Sequence, residues 1–137
     1  MEVGRQINKI SNYLRRRSQK TQEKIGLTSS QSFVLNYIMV SNNPVYQKDI
    51  EKEFGFRSSS ATQLICIMEE KGWIKRVSSS SDKRLKEIVF TDASKLVKES
   101  VRNEIEDTEK QLIQGISKED LAVFMKVTNQ MLKNLEE

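Results

Sequence analysis

Gln47-Lys48-Asp49-Ile50-Glu51-Lys52-Glu53-Phe54 runs into Gly55, and Ser58-Ser59-Ser60-Ala61-Thr62-Gln63-Leu64-Ile65 follows at once. The first segment reads as a short helix over residues 47–54, with Ile50 and Phe54 pointing inward. Gly55 supplies a tight turn, because glycine enters left-handed backbone at little steric cost. The second segment reads as a helix over residues 58–71. Ala61, Leu64, Ile65 and Met68 stand at i, i+3, i+4 and i+7, one inward face of a helical period. Gly72 stops it. Trp73-Ile74-Lys75-Arg76-Val77 then reads as a strand, residues 78–83 as a polar loop with a basic tip, and residues 85–91 as the returning strand. Helix, tight turn, helix and basic hairpin in this order predict a winged helix-turn-helix, whose second helix enters a DNA major groove.

The flanks predict more helix. Val3, Ile7, Ile10 and Leu14 form one stripe on a helix over residues 2–24, suited to packing on another helix. Thr28-Ser29-Ser30-Gln31 is a capping box that opens a second helix. Phe33, Val34, Tyr37 and Ile38, with Leu35, form its apolar side, and Ser41-Asn42-Asn43-Pro44 ends it. Thr91 or Asp92 caps a long helix reaching residue 113 or 115, with Leu96, Val97, Val101, Ile105, Thr108 and Leu112 along one side. Ser117 opens a last helix with a broad apolar face from Leu121 to Leu135. The fold class expected is mainly α with a small β-hairpin wing.

Composition narrows the chemistry. The chain has 137 residues, one cysteine and no histidine. No intramolecular disulfide can form, and His-based acid–base catalysis, Ser-His or Cys-His pairs and His-containing zinc sites are excluded. No Gly-rich phosphate loop is present, and the carboxylates are spread along helix faces. No enzyme activity, metal or cofactor is therefore expected. No apolar run approaches the ~18–20 residues of a membrane span, and the N-terminus lacks a signal-peptide core, so the cytoplasm is the expected location.

Net charge is +4, unevenly placed. Residues 1–26 carry seven basic and two acidic groups, residues 71–87 six and two, and residues 92–137 seven and ten. A basic centre beside an acidic tail suits a polyanion on one face; a solvated mixed surface is the plainer reading.

Four stretches bring the sequence close to a known family. Gly26-Leu27-Thr28-Ser29-Ser30-Gln31, Ala61-Thr62-Gln63-Leu64, Met68-Glu69-Glu70-Lys71-Gly72-Trp73-Ile74-Lys75-Arg76 and Ser81-Asp82-Lys83-Arg84-Leu85-Lys86 together resemble the MarR (multiple-antibiotic-resistance) regulators. The resemblance covers nearly the whole chain. It implies a homodimer in which residues 1–26 and 92–137 supply dimerisation helices and residues 27–91 the winged DNA-binding lobe. It implies a regulator, usually a repressor, often released by a small molecule. Three positions depart from the pattern: Glu51, where a small residue is common; Ser78-Ser79-Ser80, where a proline is usual; and Ile67.

Candidate DNA contacts follow. Ser59, Ser60 and Thr62 offer hydroxyls, and the Gln63 amide can pair with adenine. Ser58 reads better as a helix cap. The resemblance sends the wing residue Arg84 to the minor groove, which attracts cations where it is narrow. Asp82 stands two residues earlier and would point the same way in a strand, so it is assigned to orienting Arg84. Arg57, Lys75, Arg76, Lys83 and Lys86 read as phosphate contacts. Trp73 reads as a core wedge and Cys66 as an inert thiol. Arg15-Arg16-Arg17 could touch flanking DNA or line a ligand cleft, but a solvated run is the commonest fate of such a stretch.

The partners expected are double-stranded DNA with a pseudo-palindromic operator, a second copy of the chain, and a small aromatic or phenolic effector. Tyr13, Arg17, Phe33 and Tyr37 are the candidate effector cleft, since aromatic walls with one cation suit an aromatic acid. A winged-helix interaction module without sequence-specific DNA binding is the alternative.

Overall fold

The computed structural model describes all 137 residues, in the order α1 (Val3–Ile25), α2 (Ser29–Val40), α3 (Gln47–Phe54), α4 (Ser58–Glu70), β1 (Ile74–Ser78), β2 (Lys86–Phe90), α5 (Asp92–Lys95), α6 (Lys98–Ile113) and α7 (Lys118–Leu135). Residues Met1–Ile105 and Glu106–Glu137 form two compact units. No helix is long and apolar enough to cross a membrane.

In the first unit the core gathers apolar residues from α2, α3, α4, both strands and α6. Val34, Leu35, Ile50, Ile65, Met68, Ile74 and Val101 are at most 1% exposed. Leu27, Ile38, Val45 and Ile88 complete the cluster. Ala61, Ile65 and Met68 are the buried residues of α4, so its opposite side is left to solvent. Local signals set the boundaries of α2. Thr28 Oγ1 accepts from the Gln31 amide at 3.1 Å, and Gln31 Oε1 accepts from the Thr28 amide at 3.0 Å. This box buries Gln31 and Ser32 and turns Phe33 outward, 42% exposed, so Phe33 does not join the apolar side expected for it.

The end of α4 is closed by Gly72 at φ +82°. The Trp73 amide donates to the Met68 carbonyl and the Gly72 amide to that of Glu69, both at 3.0 Å. This paired pattern is a Schellman closure, which needs a left-handed residue between helix and strand. A Cβ at Gly72 would meet nothing within 4 Å. The cost of Gly72→Ala is therefore conformational, about 1–2 kcal/mol, and a denaturant titration should show the midpoint falling without a change of slope.

The hairpin pairs Ile74 with Phe90, Arg76 with Ile88 and Ser78 with Lys86. A third, single-residue bridge joins Val45 to Ile88, whose amide donates to the Val45 carbonyl at 2.8 Å. Sequence periodicity had no means of showing this bridge, because one residue after Pro44 carries no alternation.

The long helix expected after Thr91 is broken. α5 is a single turn, capped by Thr91 and Ser94: the Ser94 amide donates to Thr91 Oγ1 at 3.2 Å and the Thr91 amide to Ser94 Oγ at 3.0 Å. The Leu96 and Val97 amides then donate three residues back, to Ala93 and Ser94. That tighter winding shifts the phase of the helix. Leu96 becomes 86% exposed instead of joining the apolar side, while Val97 and Ile105 pack on the core.

Along α1 no residue is buried, and Val3, Ile7 and Ile10 are each at least 40% exposed. In the second unit, Ser117 Oγ caps α7 by accepting from the Asp120 amide at 3.1 Å. α7 also has no buried residue, and Phe124, Val127, Leu132 and Leu135 lie open.

Candidate nucleic-acid interface

The turn between α3 and α4 is held from both sides. Gly55 takes φ +68°, and the amides of Gly55 and Phe56 both donate to the Glu51 carbonyl. Phe56 stacks on Phe54 at 5.7 Å between ring centroids, and Phe54 meets Tyr37 edge-on at 5.8 Å. Such offset and edge contacts are the favoured aromatic geometries. They seat the turn on the core and direct the start of α4.

Arg57 is the cap residue of α4, extended at φ −70°, ψ 155°, and no side chain caps the helix. Ser58 therefore does not cap: the turn places all three serines inside the first helical turn. Ser59, Ser60, Thr62 and Gln63 are exposed. Thr62 is already engaged, since its Oγ1 donates to the Ser58 carbonyl at 2.8 Å and accepts from Gln47 Nε2 at 2.8 Å. Gln47, the first residue of α3, was not among the residues expected at this face. Only the crossing of α3 and α4 brings it within reach of Thr62.

The wing tip is a turn, not a strand. The Leu85 amide donates to the Asp82 carbonyl at 3.1 Å, and Asp82 Oδ1 accepts from the Arg84 amide at 3.0 Å. Aspartate at the first position of a β-turn makes this second bond readily. The same carboxylate accepts from Arg84 Nε at 3.2 Å and Nη2 at 3.1 Å. The contact between Asp82 and Arg84 thus arises from turn geometry and not from the strand alternation expected. These side-chain bonds, and then the backbone bond, hold the Asp82 carboxyl below its ordinary range. The Arg84 side chain remains 91% exposed.

The other basic residues divide. Lys75 and Lys83 are exposed, and Lys86 Nζ donates across the hairpin to Ser78 Oγ at 3.0 Å. Arg76, expected as a phosphate contact, turns toward α4 instead. It shares a strand face with the buried Ile74, two residues away. Its Nη2 donates to Cys66 Sγ at 3.3 Å, and its Nε lies 3.7 Å from Glu69 Oε1. The serine run at the wing base is also more structured than its composition suggested. Ser79 is buried and accepts from Tyr46 Oη at 3.3 Å, tying the wing to the start of α3. Trp73 packs on the core cluster.

The expected effector residues lie on two helices. Tyr13 and Arg17 are one turn apart on α1, Phe33 and Tyr37 one turn apart on α2. The Arg16 guanidinium covers the Tyr13 ring at 4.4 Å. Arg17 forms an ion pair with Glu104, a partner 87 residues distant that no local pattern could reveal. Burial, reinforced by Asp49 and Glu53, pushes the Tyr37 phenol above its ordinary value.

These elements define a winged helix-turn-helix protein with one exposed polar helix face and a basic hairpin tip. The MarR family model matches residues 25–85. Over 119 residues the chain is 29% identical to YwoH, an uncharacterized HTH-type transcriptional regulator of Bacillus subtilis (strain 168), covering 87% of this chain and 85% of YwoH. The crystal structure of the transcription regulator MarR from Oenococcus oeni PSU-1 superposes with a TM-score of 0.88 at 28% identity, covering 96% of this chain and 99% of that one. The S. aureus MepR–DNA complex shares the fold, with a TM-score of 0.88 at 21% identity over 99% of both chains. Residues 25–85 thus match the MarR family, and over most of its length the chain is similar to transcription regulators of that type.

Proposed function

We propose that this chain is a cytoplasmic, homodimeric transcriptional repressor that reads a pseudo-palindromic operator in double-stranded DNA. The observation that carries the reading is the wing tip: Arg84 projects into solvent while Asp82 holds its guanidinium in one orientation. An exposed cation pre-oriented at a hairpin tip suits a narrow minor groove. Beside it, α4 offers Ser59, Ser60, Thr62 and Gln63 to the major groove, and Arg57, Lys75, Lys83 and Lys86 add sequence-independent attraction to phosphate. The open apolar sides of α1 and α7 support the second copy.

Residues 27–91 serve as the DNA lobe in this reading, and residues 1–26 and 92–137 as the dimerisation helices. A small aromatic or phenolic acid bound near Tyr13, Arg17, Phe33 and Tyr37 would release the operator. The exposed rings of Tyr13 and Phe33 support this part. Its carboxylate would have to displace Glu104 from Arg17.

Selection of bound duplexes from a random pool at two salt concentrations tests the reading. Recovery of an inverted repeat with half-sites about one turn, ~34 Å, apart is expected. Binding that is salt-sensitive but blind to sequence would overturn it. Within a recovered site, Gln63→Ala should relax preference at one base pair by about 1–3 kcal/mol. A uniform loss over all sequences would make Gln63 a phosphate contact instead.

A further inference from the structure

Val45 and Tyr46 tie the start of α3 to the wing at two points. The Val45 carbonyl accepts from the Ile88 amide of β2 at 2.8 Å. Tyr46 Oη donates to Ser79 Oγ at 3.3 Å, one residue past the end of β1. A single bridge is a pivot, and a second tie on the other arm of the hairpin opposes rotation about it. Ser79 is the buried member of the serine run, with Ser78, Ser80 and Ser81 exposed around it. Its hydroxyl also meets Ser81 Oγ at 3.0 Å and accepts from the Ser81 amide at 3.3 Å. One proton and two lone pairs match these three contacts. No proline ring fixes φ in this run, so its hydrogen bonds hold its shape.

The tie continues to the tip. The Ser79 amide donates to the Leu85 carbonyl at 3.0 Å and the Leu85 amide to the Asp82 carbonyl at 3.1 Å, and the Asp82 carboxylate holds Arg84. At the other end, the Tyr46 amide donates to Asp49 Oδ2 at 2.8 Å, which fixes Tyr46 at the N-terminus of α3. One residue therefore joins the helix-turn-helix to the turn that carries Arg84. We propose, resting on the DNA-reading role above, that Tyr46 is a positioning residue. Its phenol holds the wing at the angle where Arg84 meets the minor groove while α4 lies in the major groove. Binding needs both contacts at once, so a wing that samples other angles lowers the apparent affinity by the fraction of molecules misplaced. At 3.3 Å the bond is long for two hydroxyls, so its loss should shift populations without unfolding the wing.

The test is a double-mutant cycle on operator affinity, read by anisotropy. Tyr46→Phe keeps the ring, removes the bond and should weaken binding about three- to fivefold. In an Arg84→Ala background the same change should cost less than about twofold, because the side chain being placed is gone. In a Gln63→Ala background the full loss should persist. Ser79→Ala removes the other partner and should match Tyr46→Phe, and the two together should be no worse than either alone by more than about twofold. In the free protein, amide exchange at Ser79 and Leu85 should be faster in Tyr46→Phe than in the wild type. Unchanged affinity of Tyr46→Phe overturns the inference. So does an equal loss with and without Arg84, which a general weakening of the lobe would give. A loss accompanied by a shallower salt dependence also overturns it, since that marks a direct phosphate contact by the phenol. Failure of the wild type to select any operator would bring down the DNA-reading role itself, a distinct result reached before any variant is compared.

Discussion

Arg84→Ala should lower affinity for the selected operator by about 1–3 kcal/mol and leave the proposed dimer and the thermal midpoint in place. The side chain is 91% exposed and its recorded partner is Asp82, also at the tip, so its loss opens no cavity. Anisotropy titrations of labelled operator, with sedimentation as the control, measure both halves of the expectation. Unchanged affinity would remove the wing from the interface. Asp82→Ala supplies a check by sign. If the carboxylate merely stood near DNA, removing its charge would strengthen binding to a polyanion. Because it holds Arg84 by two side-chain bonds and stabilises the turn by a third, the substitution should weaken binding instead. Tighter binding by Asp82→Ala would refute the orienting role.

The second large effect is expected from α7. Phe124→Glu combined with Leu132→Glu should convert the proposed dimer to a monomer and lower operator affinity at least ~100-fold, since two linked half-site contacts become one. Both residues are more than half exposed in the single chain, so the substitution disrupts no core of its own. In a two-fold dimer each change occurs twice. Burial of a Phe or Leu is worth roughly 1.5–3 kcal/mol per side chain, and placing carboxylates there opposes association further. Sedimentation velocity at micromolar concentration reads the outcome. A persistent dimer would move the interface away from this face of α7.

The two predictions differ in how far sequence could support them. Arg84 stands in a tetrapeptide whose turn chemistry is local, so Ser81-Asp82-Lys83-Arg84 pointed to a basic tip before any coordinates. The strand alternation assigned to Asp82 was nevertheless wrong in form: an aspartate-led turn makes the contact through its own backbone. The apolar sides of α1 and α7 were legible from spacing, because a helical stripe needs no partner in order to be seen. The phase of the helix after Thr91 was not. Leu96 and Val97 carry no glycine or proline to mark the tighter turn, which follows from the buried Ser94 bonding back to the Thr91 carbonyl at 2.8 Å.

Sequence by itself determined the order of elements as far as β2, most of their ends and the polar face of α4. Those depend on short-range physics: left-handed glycines at Gly55 and Gly72, the Thr28–Gln31 box, and apolar residues at helical spacing. Tertiary structure alone decided the long-range partners. Val45 pairs with Ile88, Arg17 with Glu104, Tyr46 with Ser79 and Gln47 with Thr62. It also decided that Arg76 of β1 turns to Cys66 on α4 and leaves the solvent side of its strand to Lys75. A side chain's own residue type states what it can bond. Which partner lies within 3 Å depends on how separate elements pack around one core, and no local periodicity encodes that distance.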